Sequence, residues 1–260
     1  MPTPPPSKNR STKWSGQARG QAQRHCPYKA SHRKRLRLWR ERLGIILMKS
    51  PDILNKGLQE LGISCSEKQI HAFMLYLSEL KKWNRAYNLT ALKTDEDIII
   101  KHFLDSLLYI KALPKGTLKL ADAGTGAGLP GIPIKIVRPE IDLTLIEASR
   151  KKTAFLRHVV RELELSGITV LEQRIENLDR EHEMAFDVIV SRATFSVKEF
   201  LKTACPYVKA DGRLVLNKGP KVAEEIKELA EASCADAVKE IIKLKLPAIN
   251  TVRNLVVLKC

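Results

Sequence analysis

The stretch that most constrains this chain is Leu118-Lys-Leu-Ala-Asp122-Ala-Gly124-Thr-Gly126-Ala-Gly128-Leu129, followed by Pro130-Gly-Ile-Pro133. An apolar run ends in an acid, and three glycines at alternate positions come next. This reads as a buried strand, a tight loop and the start of a helix. Glycine lets a ligand approach the backbone closely, because no Cβ stands in the way. Such a loop lies where a doubly wound α/β sheet binds nucleotide-like ligands. A bare glycine turn is the bland alternative, and the strand-to-helix position argues against it. In a G-x-G-x-x-G dinucleotide fingerprint the third glycine would fall at Leu129, which has a side chain. A nicotinamide dehydrogenase is disfavoured on that ground.

From Leu118 onward, strands and helices alternate. Apolar runs at 118–123, 143–148, 168–173, 186–193 and 212–217 read as buried strands. The clearest intervening helix is 150–165, with Phe155, Leu156, Val159, Val160 and Leu163 inward and Ser149 as its N-cap. The alternation predicts a mainly parallel sheet covered on both faces. Two final strands, about 239–246 and 254–259, are joined by Pro247 to Arg253, too short a link for a crossover helix, so they pair antiparallel. The G-x-G-x-G spacing is that of S-adenosylmethionine (SAM) methyltransferases. The fold class expected is therefore α/β, a class I SAM-dependent methyltransferase with a Rossmann-like seven-stranded sheet.

Before this domain, residues 48–114 read as a small helical subdomain. Leu54, Leu58 and Leu61 recur at helical spacing before Gly62, and Ser66 caps a helix with Ile70, Phe73, Met74 and Leu77 on one face. A third helix runs from about Asp95 to Lys111, stopped by Pro114 and Gly116. Residues 1–47 lack apolar periodicity over most of their length. They hold 12 Lys and Arg and one acid, a net of +11 within the +16 of the whole 260-residue chain. Three readings of them compete: an over-long gene start, an organelle transit peptide, or an RNA-binding tail. The division is thus 1–47, 48–114 and 115–260.

Five cysteines stand at 26, 65, 205, 234 and 260, an odd number without a C-x-x-C pair. No disulfide framework or zinc site is expected, and a reducing cytoplasm fits. No apolar run is long enough to span a membrane. The basic balance suits a polyanion such as RNA.

Several residues at the carboxyl ends of the strands carry candidate chemistry. Glu147, 19 residues after Gly128, stands where an acid accepts ribose hydroxyls. Asp122 has two compatible roles: hydrogen bonding the loop, or meeting the ammonium of a bound amino acid. Gly124 faces the cofactor through its backbone and Leu129 by packing, with Gly126 completing the loop. After the third strand, Arg174-Ile175-Glu176 passes the adenine, Ile175 packing on the ring and Glu176 or a neighbouring amide reading its amino edge. Strand four ends Ser191-Arg192-Ala193 where an amine methyltransferase often carries an acidic or Asn-Pro-Pro-type motif. Arginine only donates. That suits a nucleophile needing no base, such as guanine N7, whose neighbour O6 is a usual arginine target. Arg192 could instead clamp a phosphate or the cofactor carboxylate, or form a surface salt bridge, which its strand-end position argues against. Lys218 ends strand five on the same rim and would add positive field. The 150–165 helix shows a basic face, Arg150, Lys151, Lys152, Arg157, His158 and Arg161, which reads as solubility or as an RNA-facing surface. His102 and Asp105, at i and i+3, could pair on one helix face. A packing and capping network is preferred there to an acid–base dyad.

Together these residues resemble a known family, the bacterial small-subunit rRNA guanine-N7 methyltransferases called RsmG or GidB. The resemblance covers about residues 50–260. It is carried by Trp83-Asn84 to Asn88-Leu89-Thr90, His102-Phe-Leu-Asp105-Ser106, Asp122 through Pro133, Arg157, Ser191-Arg192-Ala193 and Lys218-Gly219. It implies SAM as cofactor, held at Gly124, Leu129, Ile175-Glu176 and Arg192. It places Arg174 among the basic residues on the RNA side, so that Arg192, Lys218 and Arg174 are the candidates for catalysis. It implies one guanine of 16S rRNA near the decoding centre as target and the small ribosomal subunit as partner, for an enzyme expected to be a cytoplasmic monomer without metal. Residues 1–47 depart from the family pattern, and Glu147 stands where many members have Asp. Two alternatives remain: a SAM methyltransferase acting on a small molecule, and a SAM-sensing or RNA-binding protein without turnover.

Overall fold

A computed structural model describes residues 49–192, 194–220, 222–231 and 235–260; the readings of residues 1–47, and Ala193, lie outside them. Seven strands form one sheet: β1 Lys119–Ala123, β2 Asp142–Ile146, β3 Ile168–Leu171, β4 Phe186–Arg192, β5 Val208–Lys218, β6 Val238–Leu246 and β7 Thr251–Leu258. Their order is β3-β2-β1-β4-β5-β7-β6. The first five pair in parallel, while β7 runs antiparallel between β5 and β6. The expected antiparallel final pair is present.

Alternation along each strand sorts side chains onto two faces. Leu120, Val188, Val190, Val215, Leu255 and Val257 join one apolar cluster. Ala121, Ile189, Leu214, Leu216, Val256 and Leu258 join another on the opposite face. The first face is covered by α1 Ser50–Leu61, α2 Glu67–Tyr87, the composite helix α3 (residues 95–111), α4 Gly131–Val137 and α5 Arg150–Glu162. Helix α6 Val197–Ala204 and the apolar positions Val222 and Leu229 of α7 Val222–Glu231 cover the second. The exposed edge strand β6 carries Lys239, Glu240, Lys243 and Lys245, charges that discourage pairing with another chain.

Helix ends follow their local chemistry. Ser66 caps α2, its hydroxyl accepting from the Gln69 amide while Gln69 returns to the Ser66 amide. Gly62 ends α1 in the left-handed conformation. Ser149 occupies the N-cap of α5 but makes no side-chain cap. Its amide instead donates to Glu147 Oε1 at 2.9 Å. Helix α3 is not uniform: it is α over Asp95–Ile98, π over Ile99–Leu104, α over Asp105–Leu107 and 3-10 over Leu108–Lys111.

The cysteine expectation needs correction. Cys205 and Cys260 form a disulfide, their Cα atoms 5.5 Å apart and 55 residues apart in sequence. Residue spacing could not reveal it, because the sheet creates the neighbourhood: β7 runs back along β5 and delivers Cys260 beside the turn after α6. Cysteine usage therefore gives no argument for a reducing compartment. No helix among the described residues is long and apolar enough to cross a membrane.

Candidate active site

The carboxyl ends of β1, β2 and β4 converge on the glycine loop. Gly124 has φ +67°, and a Cβ there would fall 2.9 Å from Thr194 Cγ2. Only glycine meets both conditions without strain. The loop is tied from two sides. Asp122 Oδ2 accepts from Thr125 Oγ1 at 2.5 Å and from the Gly131 amide at 2.7 Å. Glu147 Oε2 accepts from the Gly126 amide at 2.9 Å, and Lys152 Nζ lies 3.6 Å from the same oxygen. Of the two roles open to Asp122, the loop-bonding one is thus seen directly. Its second oxygen, Oδ1, is buried and has no partner among the described residues. Burial raises the Asp122 pKa to about 7, against the lowering pull of Thr125, Gly131 and Arg192.

Beside the loop lies a cavity of about 320 Å³. Gly124, Glu147, Arg174, Ile175 and Glu176 line it, so five of the sequence-selected residues meet here. Thr194, Phe195 and Glu199 form the wall on the β4 side. The sequence reading missed these three, since nothing in their local pattern marks them; they reach the cavity because the chain leaves β4 beside it. Asp122 and Gly126 support the loop from outside the cavity lining. The Leu129 side chain is only 5% exposed and packs in the apolar cluster under the sheet.

Arg192 and Lys218 are both engaged internally. Lys218 Nζ donates to the Phe195 carbonyl at 2.5 Å and pairs with Glu225 at 2.8 Å, so its charge is largely neutralised and it braces the cavity loop. Arg192 Nη1 donates to the Lys101 carbonyl at 3.1 Å and lies 3.4 Å from Asp105 Oδ2. That part of its guanidinium forms an ion pair, but a largely buried one rather than the surface salt bridge weighed from the sequence. Asp105 is buried and also receives Arg253 Nε at 2.8 Å and Asn217 Nδ2 at 3.3 Å. His102 does not pair with Asp105, as the i,i+3 spacing had suggested. Both face Arg192 from the π-helical and following turns of α3.

His102 Nδ1 is 3.3 Å from Arg192 Nη2, and Nε2 is 2.7 Å from Thr90 Oγ1. An arginine N–H can only donate, so Nδ1 accepts and the proton sits on Nε2, directed at Thr90. The Lys101 carbonyl, 3.1 Å from Nδ1, competes for a proton there. Burial first, and Arg192 second, lower the His102 pKa to about 4, which keeps the ring neutral. This matches the preferred packing network rather than a catalytic dyad.

The family model GidB, described as rRNA small subunit methyltransferase G, matches residues 69–256. The chain belongs to this family. A relative from Geobacter sp. (strain M21) called ribosomal RNA small subunit methyltransferase G is 40% identical over 216 residues, covering 82% of this chain and 99% of its own. Relatives with the same name from Acetivibrio thermocellus and Acinetobacter baumannii are 35% and 37% identical, covering 89% and 96% of their own lengths and 82% and 79% of this chain. Among solved structures, a SAM-dependent methyltransferase from Aquifex aeolicus aligns with TM-score 0.49 at 18% identity, over 71% of this chain and 98% of its own. Within the GidB match fall the glycine loop, the cavity and the Arg192–Asp105 cluster.

Proposed function

We propose that this protein transfers the methyl group of SAM to N7 of one guanine in the 16S rRNA of the small ribosomal subunit. Membership of the rRNA small subunit methyltransferase G family carries this reading. The site residues agree with it. When bound, SAM supplies an activated methyl group on a sulfonium. Glu147 spends one lone pair of each oxygen on the loop and Ser149 amides, and keeps others for ribose hydroxyls. Ile175 offers an apolar surface and Glu176 a polar one to the adenine. The orphaned, buried Asp122 Oδ1 fits a cationic donor such as the ammonium of SAM.

Guanine N7 carries its own lone pair, so the protein needs no base. His102, held neutral and hydrogen-bonded, supplies none. Among the described residues, Arg192 keeps Nε–H and one Nη2–H without a partner. We assign these to guanine O6 or an RNA phosphate, since the methylated base is cationic and would repel a guanidinium placed against N7. Catalysis then comes mainly from positioning in a site closed to water. The guanine must leave its stack to enter. We further infer that residues 115–260 form the catalytic domain and 48–114 a helical one, in a cytoplasmic monomer.

The test incubates the protein with labelled SAM and unmethylated small subunits, then maps N7 methylation by aniline cleavage. A single cleavage near the decoding centre supports the assignment. SAM binding without label in rRNA moves the reading to a small-molecule methyltransferase.

A further inference from the structure

A second and larger cavity, about 610 Å³, opens at the C-terminal end of α2, away from the glycine loop. Lys81, Asn84, Arg85, Asn88, Thr90 and Lys93 line it, without an acid among its lining residues. Lys81 pairs with Asp95, but among the described residues Arg85 and Lys93 have no ion pair. A neighbouring cavity of about 460 Å³ shares Lys81 and Arg85, but there Asp95 stands in the lining and Lys82 pairs with Glu79, so the unpaired positive charge is concentrated in the larger cavity. Between Arg85 and Asn88, Tyr87 is 45% exposed, one of three large apolar side chains so exposed among the described residues. It packs only partly on Trp83, ring centroids 5.4 Å apart.

The cavity also connects with the reaction site. Thr90 in its wall bonds His102, and His102 bonds Arg192 at the end of β4. Asn84 Oδ1 accepts from the Thr90 amide at 2.8 Å, which leaves its amide N–H groups for a ligand. Cations without ion pairs and planar amides line one concave surface, and the exposed Tyr87 ring stands outside that lining at the same helix end; together they are what a stretch of unpaired RNA running past the helix end requires. Phosphates take the charges, while splayed bases take the ring and the amides. A merely solvated basic helix end would need neither the concavity nor the exposed ring.

We propose that this cleft docks the single-stranded RNA flanking the target guanine, with Arg85 and Lys93 on phosphates and Tyr87 stacked on a base. This rests on the rRNA reading above. The experiment compares the full chain with the double variant Arg85→Ala/Lys93→Ala and with Tyr87→Ala and Tyr87→Phe. Two readouts are used: methylation of unmethylated small subunits, and fluorescence anisotropy of a labelled single-stranded oligoribonucleotide. SAM affinity reports that each variant is folded.

The double variant should raise KM for the particle about tenfold with kcat nearly kept. It should also flatten the dependence of log affinity for the oligonucleotide on log salt by about 1.4. Tyr87→Ala should weaken both, and Tyr87→Phe should restore them. Unchanged KM and unchanged oligonucleotide affinity, with SAM binding intact, overturn the proposal. Raised KM with unchanged oligonucleotide affinity also overturns it, because the cleft would then meet a protein of the particle. If the wild type methylates no rRNA, the rRNA reading fails, and loss of oligonucleotide affinity in the double variant still supports an RNA cleft.

Discussion

Asp122 joins the sequence pattern to the chemistry most tightly. It has one oxygen bonded to the loop and one without a partner among the described residues. Burial lifts its pKa from 3.8 to about 7. The folded chain therefore holds a proton that the unfolded chain has lost between about pH 4 and 7, and stability from this group falls as pH rises through that window. His102 works in the opposite sense. Lowered from 6.5 to about 4, it adds stability as pH rises over much the same range. Asp122→Asn should leave the His102 slope alone, so denaturant midpoints should climb more steeply with pH than in the wild type. An ammonium placed at Oδ1 would lower the Asp122 pKa. SAM binding near pH 6.5 should then release a proton, seen by calorimetry in buffers of different ionisation enthalpy, and Asp122→Asn should release none.

Asp105 gives a second expectation at this scale. It is the shared counter-charge for Arg192 and Arg253, and its removal strands two partly buried guanidinium groups. Asp105→Ala should lower unfolding free energy by about 3 kcal/mol, measured by chemical denaturation. The double variant with Arg192→Ala should lose less than the sum of the single losses. That Gly124, Glu147, Arg174, Ile175 and Glu176 come together was legible from the sequence, because each sits at the carboxyl end of a strand of one parallel sheet. Asp105 and Arg253 as partners of Arg192 were not. They lie 87 and 61 positions from it, and only the folded sheet and α3 bring them together.

Among the elements, strands β1 to β4 could be read nearly to their ends, since a buried strand leaves an uninterrupted apolar run. β5 was read as 212–217 and starts at Val208. Its first residues, Val208-Lys-Ala-Asp-Gly212, alternate poorly because the strand bulges there: Phe186 faces Val208, yet Val188 faces Arg213. At the bulge a Cβ on Gly212 would fall 2.8 Å from the Asp187 carbonyl and 3.0 Å from that of Lys209. Backbone cannot yield as a side-chain tip does. Gly212→Ala should therefore cost about 1–3 kcal/mol in denaturant titration, although alanine is the stiffer residue in the unfolded chain. The π turn of α3 was invisible for a different reason. Its apolar spacing also fits an ordinary helix, and the extra residue per turn is set by what Ile99, Ile100, Phe103 and Leu104 pack against.

For the whole molecule, the distribution of charge decides more than its sum. Residues 1–47 carry a net +11 of the total +16, leaving residues 48–260 at +5. The glycine loop and the adjacent cavity, proposed above to hold the cofactor, lie within the second group. RNA affinity has a sequence-independent part that grows with every cation able to meet a phosphate and is weakened by salt. Shortening the protein to residues 48–260 should therefore leave SAM affinity and the methylated position unchanged. Affinity for unrelated RNA should fall severalfold at low salt, with a shallower salt dependence, and the difference should shrink as ionic strength rises. Titrating a non-target RNA against both lengths at two salt concentrations measures it. Equal salt slopes would mean that the twelve Lys and Arg of residues 1–47 do not meet the RNA and that the cations of residues 48–260 carry the whole electrostatic grip.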